Sequence, residues 1–265
     1  MMALSRTEET AGQSPGLKMD PIAFEVLRSA FDAAADEMGV ALRKAAYSTN
    51  IKTRADFSCA LFDADLRLIA QSFSQPVHLA SMSRMVPSAI RQYGPERLEP
   101  GDAVVMNDSH RGGVHLNDIG IIAPLFAGGE IRGYAATIAH HTDIGGYASG
   151  GYCISSEIYQ EGIIIPPVKL VTRGEINSDV FNLIVGNIRA PRQMGGDFRA
   201  QIAASLLGRS RRAPRLEVLR PRSDPDHLLR QPQIRALGTL WGRGWSRVEI
   251  HPQPGRGSAG TAVQR

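Results

Sequence analysis

Residues 107–120 read NDSHRGGVHLNDIG, residues 121–139 continue as IIAPLFAGGEIRGYAATIA, and residues 140–146 close as HHTDIGG. Two apolar runs, Ile119 to Phe126 and Ile131 to His140, flank Ala127-Gly128-Gly129-Glu130. A Gly-Gly pair between such runs is hairpin chemistry, because glycine enters without penalty the positive-φ conformations a tight turn demands. A hairpin brings the chain back to where it began, so the polar groups at its two ends are expected to meet. One end supplies His115 and Asp118, with His110 and Asp108 just upstream; the other supplies His140, His141 and Asp143. Neutral imidazole with carboxylate suits a borderline divalent cation such as Mn²⁺, Zn²⁺ or Fe²⁺ better than a thiolate-seeking one. Taken singly, either cluster reads more readily as turn chemistry, since His and Asp beside Gly are common turn residues. Their convergence through one hairpin makes a metal site the competing reading, with His140 and His141 both open as the last ligand.

Outward from this hairpin, Asp20-Pro21 is a helix start, Asp at the N-cap and Pro in the first turn. Apolar residues recur at Ile22, Val26, Leu27, Ala30, Phe31, Ala34, Met38 and Leu42, predicting one amphipathic helix over 21–46. Phe57–Phe62 and Leu66–Phe73 flank Asp63-Ala64-Asp65 as a second hairpin; Met82–Tyr93 reads as a helix that Pro87 shortens or kinks; Ala103–Met106 is a short buried strand. A Gly-, Ser- and Tyr-rich loop follows HHTDIGG, and two helices are expected, from Asn177 or Ser178 to Ile188 and from Asp197 to Leu207. Strands and helices mix without regular βαβ alternation. That predicts an α+β fold, a mixed sheet with hairpins and a long N-terminal amphipathic helix.

The sequence pI of 9.3 arises from one region. Residues 208–265 hold 12 Arg, no Lys and 4 acidic residues, while the rest of the 265-residue chain is mildly acidic. That distribution offers no basic structured surface with aromatic or helical readers, so nucleic acid is not an expected partner. Two cysteines make no disulfide framework, no run is long and apolar enough to span a membrane, and residues 1–19 read as a disordered leader. A cytoplasmic protein without a membrane partner is the expectation.

Several blocks in one order carry a family likeness: DPIAFEVLRSAFDAAADEMGVALRKAAYSTNIKTRADFSCALFDADLRLIAQ, PVHLASM, LEPGDAVVMND, GGVHLNDIG, HHTDIGG, EIYQEGIIIPPVKL and NIRAPRQMGGDFRAQIAA. Over residues 20–207 the chain resembles the hydantoinase B/oxoprolinase family, which includes the B subunit of N-methylhydantoinases, the C-terminal half of 5-oxoprolinase and the α subunit of acetone carboxylase. The resemblance implies a divalent-metal subunit of an ATP-using enzyme that opens a cyclic amide, working with a hydantoinase A type subunit in a hetero-oligomer. Carboxylation of a ketone, as in the acetone carboxylase branch, is the alternative it offers. In that branch manganese is held by a His, an Asp three residues later and a further His. By motif these fall on His115, Asp118 and His140, with His141 the alternative. Ser109 and His110 stand where the family has a Pro and an aromatic residue, which leaves the ligands intact and alters that loop.

The likeness ends after AQIAAS, and relative to the family the domain is incomplete. Residues 208–265 are rich in Arg, Pro, Gly and Ala and empty of Lys, the composition of a GC-rich gene read out of frame; a frameshifted or truncated tail is expected, a natural disordered basic tail being the other reading. A chain so shortened is expected to be inactive alone, and a non-catalytic fragment that docks to a partner is a further reading.

Around the presumed ligands, Asp143, Glu157 and Glu161 are the candidate catalytic carboxylates, Asp143 also as an acceptor for a ligating histidine. Turn capping by Asp143 and a solvated loop edge for Glu157, Tyr159 and Glu161 are the plain alternatives. His78 reads as a core histidine or one approaching the site, and Arg54 and Asp56 as substrate-positioning groups or a surface ion pair. No Gly-x-x-x-x-Gly-Lys-Ser/Thr loop and no dinucleotide fingerprint occurs, so ATP is expected only through a partner subunit.

Overall fold

Asp20 starts the first helix as its sequence predicts: its carboxylate accepts from the Ile22 amide, and Pro21 costs nothing where no intrahelical partner exists for an N–H. The computed structural model describes residues 20–72 and 75–210, all within one unit, Met19–Arg220. The expected leader and all but the first three residues of the Arg-rich tail lie outside the described residues. Helix α1 (Pro21–Ala45) buries Phe31, Ala34, Ala35, Met38 and Leu42 along one stripe. At about 1.5–3 kcal/mol for each large side chain, that stripe is what holds a solitary helix to the sheet. A single turn, α2 (Thr49–Lys52), capped by Ser48, follows it.

Strands β1 (Phe57–Asp63) and β2 (Leu68–Gln71) form the first hairpin, α3 (Pro76–Tyr93) follows, and β3 (Ala103–Met106) leads to the central hairpin of β4 (Asp118–Ala127) and β5 (Glu130–His140). Then come β6 (Val168–Thr172), β7 (Glu175–Ile176), α4 (Ser178–Val185) and α5 (Pro191–Ser210). One sheet results, in the order β2-β1-β5-β4-β3-β6-β7, with every neighbouring pair antiparallel. The α+β class with its hairpins and long N-terminal helix is borne out, but the sheet expected to be mixed is antiparallel throughout, because no βαβ crossover joins parallel neighbours among the described residues.

Because side chains alternate across a strand, each face has its own core. Phe57, Cys59 and Leu61 of β1 pack with α1 and α5, and Ile119, Ile121 and Ala123 of β4 pack with α4 and α5. Ala60, Phe62, Ile122, Tyr134, Ala136 and Ile138 meet Met82, Met85, Val86, Ala89 and Ile90 of α3 on the opposite face. Helices therefore cover both faces of the sheet.

Two helix starts depart from expectation. Helix α3 begins at Pro76 rather than Met82, and Pro87 lies within it without ending it. Apolar residues on both sides of Pro87 are buried against the sheet, and that packing overrides the lost backbone hydrogen bond. Helix α5 begins at Pro191 rather than Asp197. Gly195 and Gly196, weak helix formers, are close-packing positions inside it: a Cβ on Gly196 would lie 2.5 Å from the Tyr47 ring, and one on Gly195 3.3 Å from that of Phe181. Asp197 is fully buried inside α5 and accepts from the amides of Tyr47 and Ser48 at 2.7 and 3.0 Å. It ties down the turn between α1 and α2 across the chain instead of capping its own helix.

Candidate metal centre

The central hairpin turns at Gly128 and Gly129, with φ of +61° and +81°. The turn pairs Ala127 with Glu130 and Phe126 with Ile131, but the next pair is Leu125 with Gly133, leaving Arg132 as an extra residue in β5. A one-residue bulge shifts the register of everything beyond it. Without it Asp118 would stand opposite Ala139; with it Asp118 stands opposite His140. Opposed residues of an antiparallel pair share a face, so the carboxylate and the imidazole meet on the α3 side of the sheet, and His141 is turned to the other side.

Asp118 is fully buried, and its polar neighbours are three imidazoles and one amide. Nδ1 of His140 lies 2.7 Å from Oδ1, Nδ1 of His115 lies 3.1 Å from Oδ2, and the His115 amide donates to Oδ2 at 2.9 Å. His78 Nε2 stands 3.4 Å from Oδ1. Burial by itself opposes ionisation here, but the hydrogen bonds from His140, His78 and the His115 amide outweigh it and hold this carboxyl far below the ordinary range. For His140, burial works against protonation, and the hydrogen bond and charge of Asp118, aided by Asp56, carry its pKa upward.

Ring nitrogens of His115 and His140 and a carboxylate oxygen of Asp118 all lie within 4.8 Å of one another. The His140 side chain is 16% exposed and that of His115 65%, so the cluster has a buried floor and one side open to solvent. These residues fit a divalent ion on physical grounds: the donors are nitrogen and oxygen, they converge from two strand ends, and among the described residues no lysine or arginine bonds the anion. Both cysteines are free and neither belongs to the cluster.

The loops that present the cluster are pinned by two buried asparagines. Asn107 donates to the carbonyls of Leu116 and Ile163 and accepts from the Ile165 amide. Asn117 donates to the His141 carbonyl at 2.8 Å, while the His141 amide donates back to the Asn117 carbonyl at 2.9 Å. Gly112, at φ +107°, lets its loop lie on α3; a Cβ there would come 2.6 Å from the Met85 nitrogen.

The remaining residues singled out in the sequence are placed elsewhere. His141 is fully buried, its Nε2 2.7 Å from Gln201 Oε1 and its ring against Phe198; burial lowers its pKa. Asp143 accepts from the Arg189 amide and guanidinium and from the Gly145 amide, joining the HHTDIGG turn to the segment before α5. It bonds to neither His115 nor His140. Glu157 caps a 3₁₀ turn at Ile158–Gln160, Glu161 accepts from the Ser155 hydroxyl at 2.8 Å, and Tyr159 is exposed. His110 sits in a 3₁₀ turn capped by Asp108, outside the cluster. Asp56 turns its carboxylate toward His78, at 3.8 Å, and its carbonyl takes the His140 amide. Gln201 escaped notice in the sequence, since a glutamine one helix away carries no local signal.

The fold and the cluster define an α+β protein with a buried carboxylate among imidazoles at the foot of a bulged hairpin. The chain belongs to the hydantoinase B/oxoprolinase family, whose model matches residues 20–216. It is 47% identical over 195 residues to an uncharacterized protein of Methanocaldococcus jannaschii, covering 72% of this chain and 34% of that protein. It is 38% identical over 205 residues to the 5-oxoprolinase of Saccharomyces cerevisiae, covering 72% and 16%. Among solved structures, the ATP-dependent caprolactamase from Pseudomonas jessenii superposes with a TM-score of 0.67 at 34% identity, over 84% of this chain and 37% of that one. Nucleotide-free acetone carboxylase shares the fold at a TM-score of 0.64 and 22% identity, over 71% and 25%. The chain thus spans about a third or less of the length of these relatives. Among the described residues no helix is long and apolar enough to cross a membrane.

Proposed function

We propose that this chain carries the divalent-metal centre of an ATP-dependent cyclic-amide hydrolase, with His115, Asp118 and His140 as ligands. The observation behind it is the convergence of their donor atoms within 4.8 Å, set by the Arg132 bulge. His141, held by Gln201, and Asp143, held by Arg189, serve to fix the strand end and the following turn. When bound, a divalent ion supplies Lewis-acid polarisation of a carbonyl or acidification of a water. The protein's part is to keep Asp118 ionised, aim His140 from the strand, and leave the His115 side open for an amide to enter. Glu157 and Glu161 border that region only through the loop after HHTDIGG and have structural bonds of their own.

A cyclic amide is favoured over a ketone because relatives above 30% identity include a 5-oxoprolinase and a caprolactamase subunit, whereas acetone carboxylase, at 22%, shares the fold alone. ATP enters through a hydantoinase A type partner in this reading, and the present chain alone gives no ATP-dependent turnover of hydantoin, 5-oxoproline or caprolactam. Elemental analysis tests the centre. The chain should retain about one divalent ion, His115→Ala and Asp118→Ala should lose it while staying folded, and Glu157→Ala should keep it. Full occupancy in both ligand variants would sink the assignment.

A further inference from the structure

The geometry points to His78 as the positioning residue of this centre, a buried imidazole that fixes the Asp118 carboxylate without itself binding the ion. The inference rests on the metal reading above. His78 lies in the first turn of α3 and is 3% exposed, with Nε2 3.4 Å from Asp118 Oδ1 and 3.8 Å from Asp56 Oδ1. It stands outside the set whose donor atoms lie mutually within 4.8 Å. Its Nδ1 is buried and has no hydrogen-bond partner among the described residues. A proton on Nδ1 would be a buried donor with no acceptor, whereas a proton on Nε2 faces two carboxylates, so the neutral Nε2–H tautomer is the one the site accommodates.

This donor matters more once an ion is present. A ring nitrogen of His115 or His140 that gives its lone pair to a cation has no proton to donate through that atom. Of the groups around Asp118, the His115 amide and His78 then remain to hold the carboxylate, and metal-binding carboxylates depend on such outer partners. The position of His78 is itself over-determined. The Gln75 carbonyl, which starts the helix, accepts from the Ser58 hydroxyl of β1 at 3.3 Å and from the His78 amide at 3.1 Å. Further along, the Gly112 loop is seated on α3 at Arg84 and Met85. Helix α3 is in this way tied to both the floor and the rim of the cluster.

The test titrates Co²⁺, a divalent probe with visible ligand-field bands, into the full chain, His78→Leu and His78→Gln, each also melted without metal. Leucine removes the donor; glutamine restores an N–H near the Nε2 position. We expect Leu to weaken Co²⁺ binding about 10- to 100-fold and Gln to recover most of it, with unchanged band positions in both because the ligands are the same. Unaltered affinity in His78→Leu would overturn the inference, as would shifted bands in both variants, which would make His78 a ligand. A variant that fails to melt cooperatively is replaced as evidence by the other. Absence of Co²⁺ binding by the unsubstituted chain would defeat the metal reading and this inference with it, and that outcome is distinct from the other two.

Discussion

Replacing Gln201 by Leu tests whether His141 is a structural residue held by α5. Gln201 is fully buried; it faces His141 Nε2 at 2.7 Å and donates to the Ile119 carbonyl at 3.0 Å and the Thr137 hydroxyl at 3.3 Å. Thr137 keeps Ser205 as a partner at 3.1 Å, so its loss is small. Among the described residues His141 loses the one hydrogen-bond partner of its ring, because Nδ1 is already buried without one. Leaving a buried polar group unsatisfied costs about 1–3 kcal/mol, and here two groups, the imidazole and the Ile119 carbonyl, are affected. Leucine returns roughly 1 kcal/mol of apolar burial, which leaves a net loss of about 1–5 kcal/mol. For a domain of this size that lowers Tm by about 2–20 °C. Thermal and urea melts of the metal-free protein measure it. A change under about 0.5 kcal/mol would show that the seam between α5 and β5 contributes nothing and that the account of His141 is wrong.

Three further outcomes follow from single contacts. Asp102, fully buried, accepts from Lys169, the Glu99 amide and the Arg173 amide, and although burial opposes it these donors keep its pKa below the ordinary value. A depressed carboxylate contributes stability above its unfolded pKa and loses it as pH falls through the folded one, so Lys169→Met should cost about 2 kcal/mol at pH 7 and progressively less below about pH 4, read from urea midpoints. Gly133→Ala places a Cβ 2.3 Å from the Phe62 carbonyl on the neighbouring strand and should cost about 1–3 kcal/mol in the same assay. Gly128→Ala meets no atom within 4 Å, so only the left-handed backbone, at φ +61°, penalises it, by about 1–2 kcal/mol; equal costs much larger than this at both glycines would refute the close-approach explanation.

The parts of this molecule governed by local rules were open to reading in the sequence. The Asp20-Pro21 start, the stripe on α1 and the Gly-Gly turn each depend on neighbours within a few residues, and each formed as expected. What was hidden depends on distant partners. Asp197 looked like a helix cap because Asp captures backbone amides, and it does so, but the amides belong to Tyr47 and Ser48. The choice between His140 and His141 could not be made by counting back from the turn, since that count misplaces every residue by one unless the bulge at Arg132 is known. Arg132 bears no mark of a bulge in its sequence context. Gln201, which holds His141, and Asn107, which ties loops 56 and 58 residues apart, acquire their roles only in the folded chain.

The central claim is that a divalent ion binds among His115, Asp118 and His140, and anomalous scattering from crystals of the chain grown with Mn²⁺ tests it most directly. A single strong peak is expected at coordination distance from one ring nitrogen of each histidine and from the Asp118 carboxylate, with His141 still bonded to Gln201. A peak on His141, one centred on His78, or none near Asp118 would contradict it.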